Sequence, residues 1–166
     1  MRELVEHVHM VIEQTFGWST AVSEVHDVGF AYDSVRRQYA ARELLDLVVA
    51  QAEPAHVRAL GFTDLDLFIP QLNFVFGLAR IGGCGAIVST HRLKPEFYGY
   101  SSDILLLISR TKKEVVHELG HTLGLQHCAN RRCVMSFSNH IGEVDAKGER
   151  FCPRCRKLVD AALARL

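Results

Sequence analysis

Eleven consecutive residues, His117-Glu118-Leu119-Gly120-His121-Thr122-Leu123-Gly124-Leu125-Gln126-His127, constrain this chain more than any other stretch. On a helix, residues four apart share a face with Cβ atoms about 5–6 Å apart, so His117 and His121 can both aim an imidazole nitrogen at one Zn²⁺. Glu118 lies about 100° further round the helix. It is poorly placed to join them as a ligand but able to face a water at an open coordination position, where a general base belongs. A glycine can take the left-handed conformation that ends a helix, so Gly124 turns the chain and leaves His127 free to approach the same metal. Three neutral imidazoles leave one position exchangeable, as in a catalytic rather than a structural site. In a chain of 166 residues with 9 His and 19 acidic residues, a bare His-acid-x-x-His arises by chance about 0.05 times, and the long form about 2 times in ten thousand. A buried helix with incidental histidines is therefore the weaker explanation.

The cysteines form a second group. Four residues separate Cys128 from Cys133, two separate Cys152 from Cys155, and 18 lie between the pairs. Each pair can grip a metal from one tight turn, which is what a closed tetrahedral Cys₄ zinc site requires. Arg131, Arg132, Arg154, Arg156 and Lys157 surround them and favour thiolates. Two disulfides and a rubredoxin-like iron centre are the alternatives. Five Cys is an odd number, so complete internal pairing is impossible, and Cys84, alone among glycines, reads as a core or turn residue. His7, His9, His26, His56, His91 and His140 have no ligand-like spacing.

Composition sets the frame for these sites. With 48% apolar and 23% charged residues the chain can bury the core of one domain. Its 19 basic side chains balance 19 acidic ones, which argues against a nucleic-acid binder, including a zinc ribbon built from Cys128 to Cys155. The longest apolar run, Ile104 to Ile108, falls far short of the ~20 residues that cross a bilayer, and no apolar stretch follows Met1-Arg2-Glu3 as a signal peptide would require. The expectation is a cytoplasmic protein with no membrane partner.

Apolar spacing predicts a helix over Leu4 to Ile12 that ends near Gly17, a strand over Thr20 to Val25, and a longer helix from Ser34 to Gln51. Pro54 ends the latter, and a short helix through Val57 and Leu60 follows. Leu65 to Ile69, Asn73 to Ala79 and Gly85 to Thr90 read as strands. Ser101 or Ser102 caps a helix running towards Gly124, its apolar face formed by Ile104, Ile108, Val115 and Leu119. Beyond Gly124 the chain reads as irregular until a helix from Lys157 to Leu166. Alternating elements followed by a metal-rich end suggest one α/β domain, with an N-terminal subdomain over 1–124 and a C-terminal one over 125–166.

The long histidine motif followed by Met135 resembles the metzincin clan of metallopeptidases. The adjacent His127-Cys128, the Cys128/Cys133 pair, Met135 and the Cys152/Cys155 pair resemble its archaemetzincin branch. The motifs span His117 to Cys155, about a quarter of the chain. This resemblance implies a metzincin-like fold: a twisted mixed sheet with one antiparallel edge strand, an active-site helix and a zinc-stabilised C-terminal subdomain. It implies two zinc ions per chain, a catalytic one on His117, His121 and His127 and a structural one on Cys128, Cys133, Cys152 and Cys155. Glu118 would be the general base and acid, and Met135 the hydrophobic base under the metal. Asn73 to Ala79 would supply the edge along which a peptide substrate binds, through Asn73, Phe74 and Phe76, with Gly85 to Thr90 beside it. Phe137, Ser138 and Asn139 would line the pocket for the residue after the cut.

Two departures stand out. Met135 and Cys152 are separated by 16 residues, one fewer than the family pattern implies, and the chain starts in a helical pattern where a metzincin sheet opens with a strand. A zinc-dependent peptidase acting as a monomer is the expectation. A zinc-stabilised peptide-binding module with little turnover is the alternative.

Overall fold

The first helix, α1 (Arg2–Phe16), places Leu4, Val8, Val11, Ile12 and Phe16 on one buried stripe, as the spacing predicts, and Gly17 follows it at φ 73°. The computed structural model describes residues 2–52 and 58–166. No strand forms over residues 20–25. The next strands are β1 (Tyr32–Asp33) and β2 (Gln38–Ala40), paired antiparallel. Between them Asp33 Oδ1 accepts the backbone N–H of Val35 and of Arg36, each at 2.9 Å, and Arg37 takes φ 56°. That turn competes with the helix expected from Ser34, so α2 starts only at Ala41 and runs to Gln51. Pro54 and Val57 lie outside the described residues. Leu60, expected in a helix, belongs instead to β3 (Ala59–Thr63).

Four further strands follow: β4 (Leu67–Ile69), β5 (Leu72–Val75), β6 (Gly77–Ala79) and β7 (Gly85–Ser89). They form two small sheets, ordered β1-β2-β4-β5 and β3-β7-β6. The single strand expected over Asn73 to Ala79 is divided at Phe76, whose buried ring marks the step from one sheet to the other. In the second sheet β7 is central, parallel to β3 and antiparallel to β6, with Gly77 opposite Val88. An antiparallel edge beside Gly85–Ser89 is therefore present, as β6.

Both faces of β7 are covered, in keeping with its unbroken apolar run. Ala86 and Val88 pack with α1 and with Val115, Val116 and Leu119, whereas Ile87 packs on Leu44 and Leu45 of α2. The residues Val115 to Leu119 belong to α3 (Ile104–Thr122), the longest helix described. Its N-cap is Asp103, whose side chain accepts from Leu106 N at 2.9 Å, and not Ser101 or Ser102. Ile104 stands 43% exposed, so only Ile108, Val115 and Leu119 of the expected face are buried.

Two helices complete the chain. Residues 141–146, expected to be irregular, form α4 (Ile141–Ala146), which seats Val144 against Leu107 and Ile108. The last helix, α5 (Pro153–Leu163), begins at the Cys152/Cys155 pair, earlier than expected, because Pro153 starts it. Among the described residues no helix is long and apolar enough to cross a membrane.

Candidate active site and metal centres

One turn of α3 buries His117 and His121 on the same face. The helix ends at Leu123, Gly124 adopts φ 91°, and Leu125 N closes the turn on Gly120 O at 3.2 Å. His127 emerges beyond that turn with its ring centroid 5.3 Å from that of His117 and 4.9 Å from that of His121. One ligand nitrogen from each of the three lies within 4.8 Å of the others.

The outer nitrogens fix which inner atoms are free. His117 Nδ1 donates to the Val134 carbonyl at 2.8 Å, and His121 Nδ1 donates to the Leu125 carbonyl at 2.7 Å. A carbonyl only accepts, so each proton sits on Nδ1 and each Nε2 keeps its lone pair. Those two Nε2 atoms are 3.1 Å apart, close to the ~3.3 Å between two imidazole ligands on one tetrahedral zinc. Burial, with the Lys147 charge second, pushes His117 well below the ordinary imidazole range, and burial moves His121 the same way. Neutral rings with converging lone pairs fit a metal.

Glu118 is buried against β6. A Cβ on Gly77 would stand 2.7 Å from Glu118 Cγ and 2.8 Å from Oε1, so the absence of a side chain there gives the carboxyl its place. Burial, followed by the Glu114 carboxylate, raises Glu118 well above the usual carboxylic range, with Lys147 opposing. Met135 is fully buried in the same core as Val116 and Leu119. Its Sδ would meet a Gly120 Cβ at 2.6 Å, so the thioether lies directly on the helix between the two histidines.

The cleft in front of these groups is about 250 Å³, walled by Phe74, Phe76, Gly77 and Leu78 on one side and by Phe137, Ser138 and Asn139 on the other. Phe74 and Phe76 meet edge to face with centroids 5.1 Å apart. Phe137, half exposed, covers His127 at 5.0 Å. Asn73 stands outside this wall: it is exposed in β5, where its carbonyl accepts Gln38 Nε2 at 2.9 Å. Two charged lining residues carry no motif of their own, Glu114 and Lys147, ion-paired at 2.8 Å. Glu114 precedes Glu118 by one turn, the only hint of it in sequence. Lys147 comes from the far end of α4 and left no local signal.

The four cysteines converge as a second cluster, with one sulfur from each within 4.8 Å of the others. All are free thiols, which sets aside the two-disulfide alternative. Cys128 and Cys152 Sγ are 3.8 Å apart, matching the ~3.8 Å between thiolates on a tetrahedral zinc. The Cys155 N–H bonding to Cys152 brings that thiol down to about 7, while burial pushes Cys155 up. The Cys155 amide first, and then the neighbouring thiols, do this at Cys152, and not the expected arginine shell. Arg156 is committed to Asp160 and to the Thr15 carbonyl at 2.9 Å.

Comparison with known proteins agrees with this geometry. Residues 1–161 match peptidase family M54. The chain is 44% identical over 136 residues to the archaemetzincin of Pyrococcus furiosus, covering 81% of this chain and 71% of that protein. It is 38% identical over 162 residues to the archaemetzincin of Methanocaldococcus jannaschii, covering 97% and 88%. The crystal structure of archaemetzincin from Methanopyrus kandleri superposes with a TM-score of 0.86 at 40% identity, covering 99% of this chain and 88% of that one.

Proposed function

The chain belongs to peptidase family M54, and from that premise we propose how its residues divide the work of a zinc metallopeptidase. His117, His121 and His127 hold the catalytic zinc through Nε2 or its equivalent. Cys128, Cys133, Cys152 and Cys155 hold the structural one. When bound, the catalytic metal supplies Lewis acidity towards a peptide carbonyl and acidifies a water. Glu118, facing the cleft from beside His117, accepts a proton and then delivers it to the leaving amine. Its burial suits both roles, because a carboxyl raised above its usual range is a stronger base and, once protonated, stays a usable acid. Met135 supports the helix turn that carries both histidines.

The peptide lies against β6 in extended form, adding a strand to an open edge, with Phe74, Phe76, Phe137, Ser138 and Asn139 bounding its side chains. Residues 1–124 supply the helix and edge, and residues 125–166 supply the third histidine, Met135 and the cysteine site. We place the protein in the cytoplasm as a monomer without nucleic-acid partners.

The observation that carries this reading is the pair of inward Nε2 atoms 3.1 Å apart, held by carbonyls behind them, at a cleft that Glu118 also lines. A digest of a peptide library by native protein and by Glu118→Ala tests it. Cleavage products in the first and none in the second are expected. Equal cleavage by both would remove Glu118 from its role.

A further inference from the structure

Behind the aromatic wall of the cleft stands a charged side chain that the chemistry above does not use. Arg92 follows β7, and its guanidinium carbon lies 4.4 Å from the ring centroid of Phe74 and 4.8 Å from that of Phe97, inside the ~6 Å reach of a cation–aromatic contact. The guanidinium is held there by a two-pronged bond: Nε and Nη2 donate to the two carboxylate oxygens of Asp66 at 2.7 and 2.8 Å. Its backbone is fixed as well. The Arg92 carbonyl accepts the Tyr98 hydroxyl at 2.8 Å, and the adjoining Leu93 carbonyl accepts Arg110 Nη1 at 2.8 Å. On either side, Thr90 Oγ1 and Lys94 Nζ donate to Asp64 at 2.9 and 2.6 Å.

Phe74 stands where such a support matters. It belongs to β5, the last strand of its sheet, which pairs with β4 through an irregular register. Its ring is half-buried, packs on the Phe76 cluster of the core at 5.1 Å edge to face, and lines the cleft together with His117 and Glu118. The core thus holds the ring through Phe76, and Arg92 lies over its face. A planar guanidinium suits that position, because Asp66 takes two N–H groups in the plane and leaves the face free to stack, which an ammonium cannot offer. Without it, each incoming peptide would have to order a partly exposed ring on an edge strand, at the expense of affinity.

We propose that Arg92 is a positioning residue for substrate binding: locked on Asp66, it holds the Phe74 ring as a preformed wall, so that a peptide packs on the ring without first ordering it. The proposal rests on the peptidase reading above, in which Phe74 bounds the substrate.

Two variants test it. Asp66→Asn/Arg92→Met removes both charges and the flat group together, whereas Arg92→Lys keeps a cation for Asp66 but not the plane. The first readout needs no substrate. Carbon-13 relaxation of the Phe74 ring in zinc-loaded, peptide-free protein should show an ordered ring in the native chain and a mobile one in both variants. The second readout uses the best-cleaved peptide of the library digest. Its affinity, by calorimetry on a Glu118→Ala background, should fall by about two- to tenfold, the cost of ordering one side chain on binding, and KM should rise by the same factor at unchanged kcat. On a Phe74→Ala background the Arg92 substitutions should leave affinity where Phe74→Ala alone puts it, since Arg92 acts through that ring. A further loss there would make Arg92 merely structural and overturn the proposal. A Phe74 ring equally ordered in native protein and variants, or a loss that falls on kcat instead of KM, would overturn it too. If no peptide were cleaved or bound, the peptidase reading would fail, and the ring relaxation would still decide whether Arg92 orders Phe74.

Discussion

His117 donates its Nδ1 proton to the carbonyl of Val134 at 2.8 Å, and Val134 lies between Cys133 and Met135 in the chain. Three consecutive residues thus carry a thiol of one metal cluster, the carbonyl that orients a ligand of the other, and the thioether under the helix. The segment is held from two sides, by Val134 N on Arg150 O at 3.0 Å and by Cys128 N on Met135 O at 2.8 Å. Cys128 in turn follows His127. The two metal centres therefore share backbone at both His117 and His127.

Loss of a cysteine ligand should be felt at the histidines. Cys133→Ala touches only the thiol cluster, but it frees the backbone that aims His117. Disturbing the outer partner of a metal-binding histidine weakens affinity by about 10–100-fold. Competition with a chelating dye should show the histidine-bound zinc weakened by such a factor, with Cys84→Ala unchanged. Native affinity in a folded Cys133→Ala protein would break the link.

Gly120 should resist enlargement for a reason that disappears with its neighbour. In an exposed helix, Gly→Ala gains about 1 kcal/mol. Here the new Cβ would stand 2.6 Å from Met135 Sδ and 3.3 Å from Phe151 Cε1, and overpacking of that kind costs about 1–3 kcal/mol. The second effect wins, so Gly120→Ala should lower the denaturation midpoint. On a Met135→Ala background the same change should be neutral or stabilising, and a double-mutant cycle in urea measures the difference.

The motif and its helix were legible because their information is local: i,i+4 histidines, a glycine at the turn and cysteine pairs all act within a few residues. Strand boundaries were less so. Asn73 to Ala79 reads as one strand, but β5 and β6 belong to different sheets, a division set by partners that are distant in sequence. The turn built on Asp33 replaced the first part of the helix expected from Ser34 through two side-chain hydrogen bonds that apolar periodicity does not register. Lys147 was the least legible of all. Its burial depends on Glu114 and His117, which lie on another element, and an isolated lysine between Ala146 and Gly148 reads as surface.

Metal removal should proceed in two stages. The histidine site opens on the cleft, whereas Cys133 and Cys155 of the thiol cluster are buried in the main core with Val134, Met135 and Val159. Two zinc per chain are expected in the native protein. A moderate chelator should take one of them and abolish cleavage while the circular dichroism spectrum holds. Removal of the second needs stronger chelation or acid, and should unfold the C-terminal part, because binding energy at a structural site is folding energy. Simultaneous loss of both ions at one chelator concentration would contradict this order.

Gly77 should separate catalysis from metal binding. It lies on β6 opposite Val88, and an alanine Cβ there would stand 2.7 Å from Glu118 Cγ and 2.8 Å from the Ile87 carbonyl oxygen. The carbonyl belongs to the central strand β7, buried on both faces, and cannot give way, so the Glu118 side chain must move. None of the three histidines contacts the new methyl group at these distances. A displacement of about 1 Å in a catalytic group costs on the order of 100-fold in rate. Gly77→Ala should therefore retain two zinc per chain while kcat falls by about that factor and KM changes little, with a lowered thermal midpoint because the contact with the Ile87 oxygen remains. If zinc content fell along with the rate, Gly77 would be supporting the metal site and not the carboxyl.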